Sequence, residues 1–131
     1  MKRFSGTGKA LLVLLVSYVV TDILLTPLAR LETRDPSLVT PVGVFTLVLL
    51  FLGLLLAIVS AAQLVRGSRR AEALAVIAAV LYFPAPIVEW SGHFSKSAPP
   101  PAIATLELVQ ALIAALVIVV AVLTARTRSD T

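Results

Sequence analysis

Four runs of apolar residues, each about as long as a bilayer is thick, fill most of this chain. They cover residues 10–28, 42–64, 71–90 and 102–125. About 20 apolar residues carry a helix across the hydrocarbon core. In lipid the backbone must satisfy its own polar groups, so each run reads as a helix. The breaks between the runs support this. "ARLETRDPSLVTP" is polar and ends at Pro41. "RGSRR" is a tight basic turn with a glycine. "SGHFSKSAPPP" ends in three prolines, which stop one helix and suit the start of the next.

A soluble chain of 131 residues could not bury an apolar share of 59%. The fold class is therefore all-α: a polytopic membrane protein built as an antiparallel four-helix transmembrane bundle. It forms a single domain over 1–131, with short basic tails at 1–9 and 126–131. There is no cysteine, which excludes disulfides, thiol catalysis and thiolate metal sites. The net charge of +4 sits in short clusters between apolar runs, so it points to membrane topology and not to nucleic acid.

Basic residues orient the bundle. Lys2, Arg3, Lys9, Arg66, Arg69, Arg70, Arg126 and Arg128 fall on one side. Arg30, Arg34 and Lys96 fall on the other. Both termini are thus expected to face the cytoplasm, in a multi-pass protein of the plasma or inner membrane. Trp90 then lies at the outer interface, where indole rings collect. "MKRFSGTGK" also fits the basic start of a signal peptide. A long apolar run, its interruption by Asp22 and the lack of an A-x-A site favour a retained first helix.

Small residues mark helix contacts in lipid. Thr46, Gly53, Ala57 and Ser60 share one face of the second run. Ala75, Ala78, Tyr82, Pro86 and Glu89 share one face of the third. Ala104, Glu107, Ala111, Ala114, Ala121 and Ala125 do so in the fourth. Tyr18 and Asp22 lie one turn apart in the first.

These faces direct Glu89, Glu107 and Thr46 inward, while the first run lacks a small-residue stripe; Asp22, Glu89 and Glu107 all fall within roughly the outer 10 Å of the bilayer. Gln110 lies one turn below Glu107. Thr46, Tyr18, Trp90 and His93 are candidate hydrogen-bonding neighbours. An ionised acid in lipid is costly, and no lysine or arginine lies inside an apolar run. Three responses are open: protonation, binding of a cation, or pairing with Arg30 and Arg34 folded down from the loop. On the structural reading, Glu89 is a wet interfacial residue and Glu107 a first-turn acid, whereas Asp22, deepest from a helix end, resists that reading.

"FPAPIVEWSGHF" at 83–94 holds two prolines that free carbonyls near Val80 and Tyr82. Either the helix kinks there and opens a cavity, or it ends near Phe83. His93 in a Ser/Gly/Lys loop reads as solvated. No metal site and no cofactor are expected, and no catalytic motif is present.

In size and span number the chain is similar to small multidrug transporters, fluoride channels and DoxX-like proteins. The multidrug transporters carry an acid at mid-helix, whereas Asp22 is displaced outward, and the glycine-rich opening of the fluoride channels is missing. "LELVQALIAAL" resembles the DoxX-like plan only loosely, so the resemblance implies no family.

The expected role is that of a small integral membrane protein acting by lateral association, with itself or a larger membrane partner. The alternative is an outward-facing transporter or binding protein for a cation, proton or amphipathic small molecule. Its hypothetical ligand residues are Asp22, Glu89, Glu107, Tyr18, Thr46, Gln110 and His93. A membrane-embedded isomerase or lyase using the same acids is a third reading.

Overall fold

The computed structural model describes residues 6–26 and 29–129, with side chains to 127. Lys2, Arg3, Pro27, the Arg128 side chain and the end of the "RTRSDT" tail lie outside the described residues. The described residues form five α-helices: α1 Gly6–Leu24, α2 Pro41–Val65, α3 Arg70–Tyr82, α4 Pro84–Trp90 and α5 Pro101–Ser129. A single 3-10 turn, Pro36–Leu38, precedes α2. Because α3 and α4 together make one crossing, four helical units are long and apolar enough to span a membrane.

Local chemistry sets most boundaries. Thr40 caps α2: its hydroxyl accepts from the Gly43 N–H, and Pro41 follows at the first helical position. Gly67 and Gly92 take positive φ just past α2 and α4. There the Ser68 N–H reaches the Gln63 carbonyl and the His93 N–H reaches that of Val88, which satisfies helix-end acceptors.

α1 begins and ends earlier than its apolar run. Thr26 precedes Pro27, a position steered away from helical geometry, and its N–H bonds to Ile23 in a tightened turn. This corrects the reading of Asp22 as deepest from a helix end: it lies in the last turn of α1. Glu107 is likewise not a first-turn acid, because α5 starts at Pro101 and places it in the second turn.

The proline segment breaks the third crossing without ending it. α3 stops at Tyr82, and α4 resumes at Pro84 with both prolines in its first turn, where a missing N–H is harmless. The Val80 carbonyl, released by Pro84, accepts from the Phe83 N–H at 3.2 Å.

α2 packs most extensively on α3, and α5 packs on both α1 and α3; the α1–α2 contact is thinner. Thr46, Gly53, Ala57 and Ser60 are all buried, as are Ala75, Ala78, Tyr82, Pro86 and Glu89. On α5 the buried row runs through Glu107, Gln110, Ala114, Val117, Ala121 and Thr124, while Ala125 is exposed. The fourth stripe therefore drifts off its sequence-predicted line. Gly53 is a point of close approach: a Cβ there would lie 3.1 Å from the Ala78 carbonyl oxygen and 3.4 Å from the Tyr18 hydroxyl.

Outward-facing side chains are large and apolar, among them Val13, Phe45, Ile58, Leu112 and Val119. Lipid tails give such surfaces no reason to associate, so cohesion rests on close packing and interhelical hydrogen bonds. Tyr18 Oη donates to the Ala78 carbonyl at 3.1 Å and Ser60 Oγ to that of Ala71 at 2.7 Å. Tyr82 Oη donates to the Glu107 carbonyl at 2.7 Å and Gln110 Nε2 to that of Tyr18 at 3.0 Å. Bonds of this kind contribute about 0.6 kcal/mol each in lipid.

Candidate functional site

The connections before α2 and before α5 meet and cover one end of the helices. The Thr40 N–H donates to the Phe94 carbonyl at 2.9 Å, and the Lys96 N–H to the Leu38 carbonyl at 3.0 Å. Val39 and Ser95 form an isolated antiparallel bridge. The Thr40 hydroxyl also donates to the His93 carbonyl. Gly43 lies so close to the Phe94 backbone that a Cβ there would collide with its carbonyl. The two loops thus act as one cap.

Arg34 projects from this cap. Its Nε donates to Glu32 Oε1 at 2.8 Å and its Nη2 to Glu32 Oε2 at 2.6 Å, a two-pronged contact. Its Nη1 lies 2.6 Å from Glu89 Oε1 on α4. Both side chains of this second pair are nearly buried, at 7% and 4% exposure. The guanidinium also sits over the Phe94 ring, 5.2 Å from its centre. Burial pushes the Glu32 carboxyl up, but hydrogen bonds and charge from Arg34 outweigh it and hold the group below the ordinary carboxylate value. Asp35 is held low by hydrogen bonds from Ser37.

Beneath the cap lies a cavity of about 380 Å³. Leu47, Leu50, Phe51 and Leu54 of α2 form much of its wall, with Leu25 and Ile103 opposite. Asp22, Glu32, Arg34, Glu89, Glu107 and Tyr82 supply the polar lining. The Glu89 and Glu107 carboxyl groups lie within hydrogen-bonding reach of each other. Glu107 Oε2 is buried with no hydrogen-bond partner among the described residues. Asp22 is 4% exposed, and no hydrogen bond or ion pair engages its carboxyl group among those residues. A carboxylate in the last turn of a helix also meets the negative end of the helix dipole. Nothing local therefore favours an acid at position 22.

The structure thus brings together Asp22, Glu89 and Glu107 from three helices. Of the three responses open to these acids, pairing with a loop arginine is realised for Glu89. Arg34 makes that pair, while Arg30 is exposed in a left-handed turn, φ 61°. The other sequence-predicted residues stand apart from the cavity lining. Tyr18 and Gln110 are buried in the interhelical bonds described above. The Thr46 hydroxyl donates within its own helix to Val42. His93 is exposed, with Nδ1 2.8 Å from Ser91 Oγ.

Glu32 escaped the sequence reading. It lies in a polar loop and carries no helical periodicity; the one signal available was its spacing of two residues from Arg34. Among the described residues no three His, Cys, Asp or Glu side chains are grouped to hold a metal ion. Comparison with protein-family models, with curated proteins and with solved structures finds no match.

Proposed function

We propose that this chain is an antiparallel four-helix membrane protein that binds an amphipathic small molecule in its capped cavity. One observation carries this reading: an apolar cavity of about 380 Å³ is lined by buried acids, and Glu107 leaves a buried carboxyl oxygen with no hydrogen-bond partner among the described residues. Binding cavities combine mostly apolar walls with a few convergent polar groups, and this volume falls in their usual range. The bias of basic residues places the cap outside and both termini in the cytoplasm. The small-residue stripes that motivate lateral association pack mostly inside the chain, and the binding reading rests on the cavity instead.

Native mass spectrometry of the full chain, released gently from its own membrane, tests this reading. The expected result is one small organic molecule per chain. Ala85→Phe, which fills the cavity from α4 and leaves every acid in the sequence, should lose it. An empty wild-type chain, or the same molecule retained by Ala85→Phe, would overturn the reading.

A further inference from the structure

We infer that the ligand is an amphipathic amine, its cationic N–H donors placed between Asp22 and Glu107 and its hydrocarbon body against the α2 wall. This deepens the binding reading above and rests on it. The inference starts from an imbalance of partners. Four carboxyl groups line the cavity, and one guanidinium faces them. Arg34 pairs with Glu32 and Glu89, and it makes no ion pair with Asp22 or Glu107. Asp22 is 4% exposed and Glu107 8% exposed, and Glu107 Oε2 is fully buried with no hydrogen-bond partner among the described residues. A buried acceptor without a donor is costly, and the cost is greater for a charged one. The missing chemistry is therefore a donor with positive charge.

Shape narrows the class. A divalent metal needs several oxygens converging on one point, and no such group exists among the described residues. Here the acids come from three helices and a loop and share an otherwise apolar lining. An organic cation with a hydrocarbon body matches both features. Its route is also visible. Leu47 and Phe51 line the cavity yet are 45% and 60% exposed on the outer face of α2. The wall is thin there, next to the sparse α1–α2 contact, so the ligand enters sideways from the bilayer.

The test uses the full chain in phosphatidylcholine nanodiscs, with n-decylamine and n-decanol as probes, and reads the thermal unfolding midpoint. Partition of each probe into the bilayer is common to all variants, so differences between variants report the cavity. Decylamine should raise the wild-type midpoint saturably. Half-saturation should move about tenfold or more upward in Asp22→Asn and Glu107→Gln. It should stay in place in the exposed control Lys96→Gln, and Glu107→Asp should keep most of the response. If Glu107→Gln does not fold, Asp22→Asn and Glu107→Asp still decide the matter. Equal stabilisation by decanol, indifferent to the acid variants, would overturn the amine while leaving a binding cavity. No response to either probe also overturns it; the mass measurement above then decides separately whether the cavity binds anything.

Discussion

Arg34 Nη1 lies 2.6 Å from Glu89 Oε1, joining the loop before α2 to the last turn of α4. This pair makes one body of the cap and the bundle. It also holds a guanidinium over a cavity that would otherwise be acidic along its whole polar side.

Removing Arg34 leaves Glu89 buried without its cation, which costs about 3–5 kcal/mol, whereas removing Glu89 leaves Arg34 its contact with Glu32. Arg34→Met should therefore destabilise strongly in a denaturant titration of the detergent-solubilised chain. Arg34→Met combined with Glu89→Gln should cost less than the sum of the two by about 1–3 kcal/mol. Additive losses would show that the pair contributes nothing as a pair.

Gly53→Ala presses a methyl group against the Ala78 carbonyl oxygen, the acceptor of the Tyr18 hydroxyl. Overpacking of this kind costs about 1–3 kcal/mol, and Gly53→Leu should cost more. The same titration checks the ranking, and an unchanged Gly53→Leu would contradict the α2–α3 contact.

Gln110 offers a contrast. Its Nε2 has a partner, but its buried Oε1 has none among the described residues. Gln110→Leu removes a satisfied donor and an unsatisfied acceptor together, so stability should change by less than about 1 kcal/mol. Gln110→Glu buries a charge at the same place and should be far worse. Reversal of that order would disprove the hydrogen-bond assignment.

The Arg34–Glu32 contact should respond to acid. The Glu32 carboxyl titrates below its ordinary value in the folded chain, so its contribution is full above the unfolded carboxylate range. It is lost as pH falls through the lowered folded value. The Arg34 Nε resonance should hold a hydrogen-bonded shift at neutral pH and lose it in that acidic window. A shift constant to the lowest pH at which the chain stays folded would count against the contact.

Orientation is open to labelling because the chain has no cysteine of its own. Thr33→Cys should react with an impermeant maleimide on intact cells, and Thr127→Cys only after the membrane is opened. The opposite pattern would invert the proposed topology and place the cavity on the cytoplasmic side.

Much of the site was legible because depth along a helix is countable. Asp22, Glu89 and Glu107 could be assigned to one level from span ends alone, and small-residue faces pointed Glu89 and Glu107 inward. Arg34 was nameable as a loop cation able to reach them. Glu32 was not, since a loop carries no period from which direction can be read. Thr46, Tyr18 and Gln110 had the right depth but the wrong azimuth for the cavity: rotation about a helix axis decides which of two buried neighbours meets a space and which meets another helix.

The sequence by itself determined four helical units long and apolar enough to cross a membrane, and their approximate ends. Run length, prolines and caps are local, and lipid leaves a long apolar run no alternative to helix. Tertiary structure alone decided that α3 and α4 form one interrupted crossing and that two loops close into a cap. It also decided that Arg34 takes Glu89 and leaves Asp22 and Glu107 facing an apolar space. Those outcomes depend on which helices are neighbours and how each is turned, and in lipid that is set by side-chain fit across the whole bundle and not by the hydropathy of any one segment.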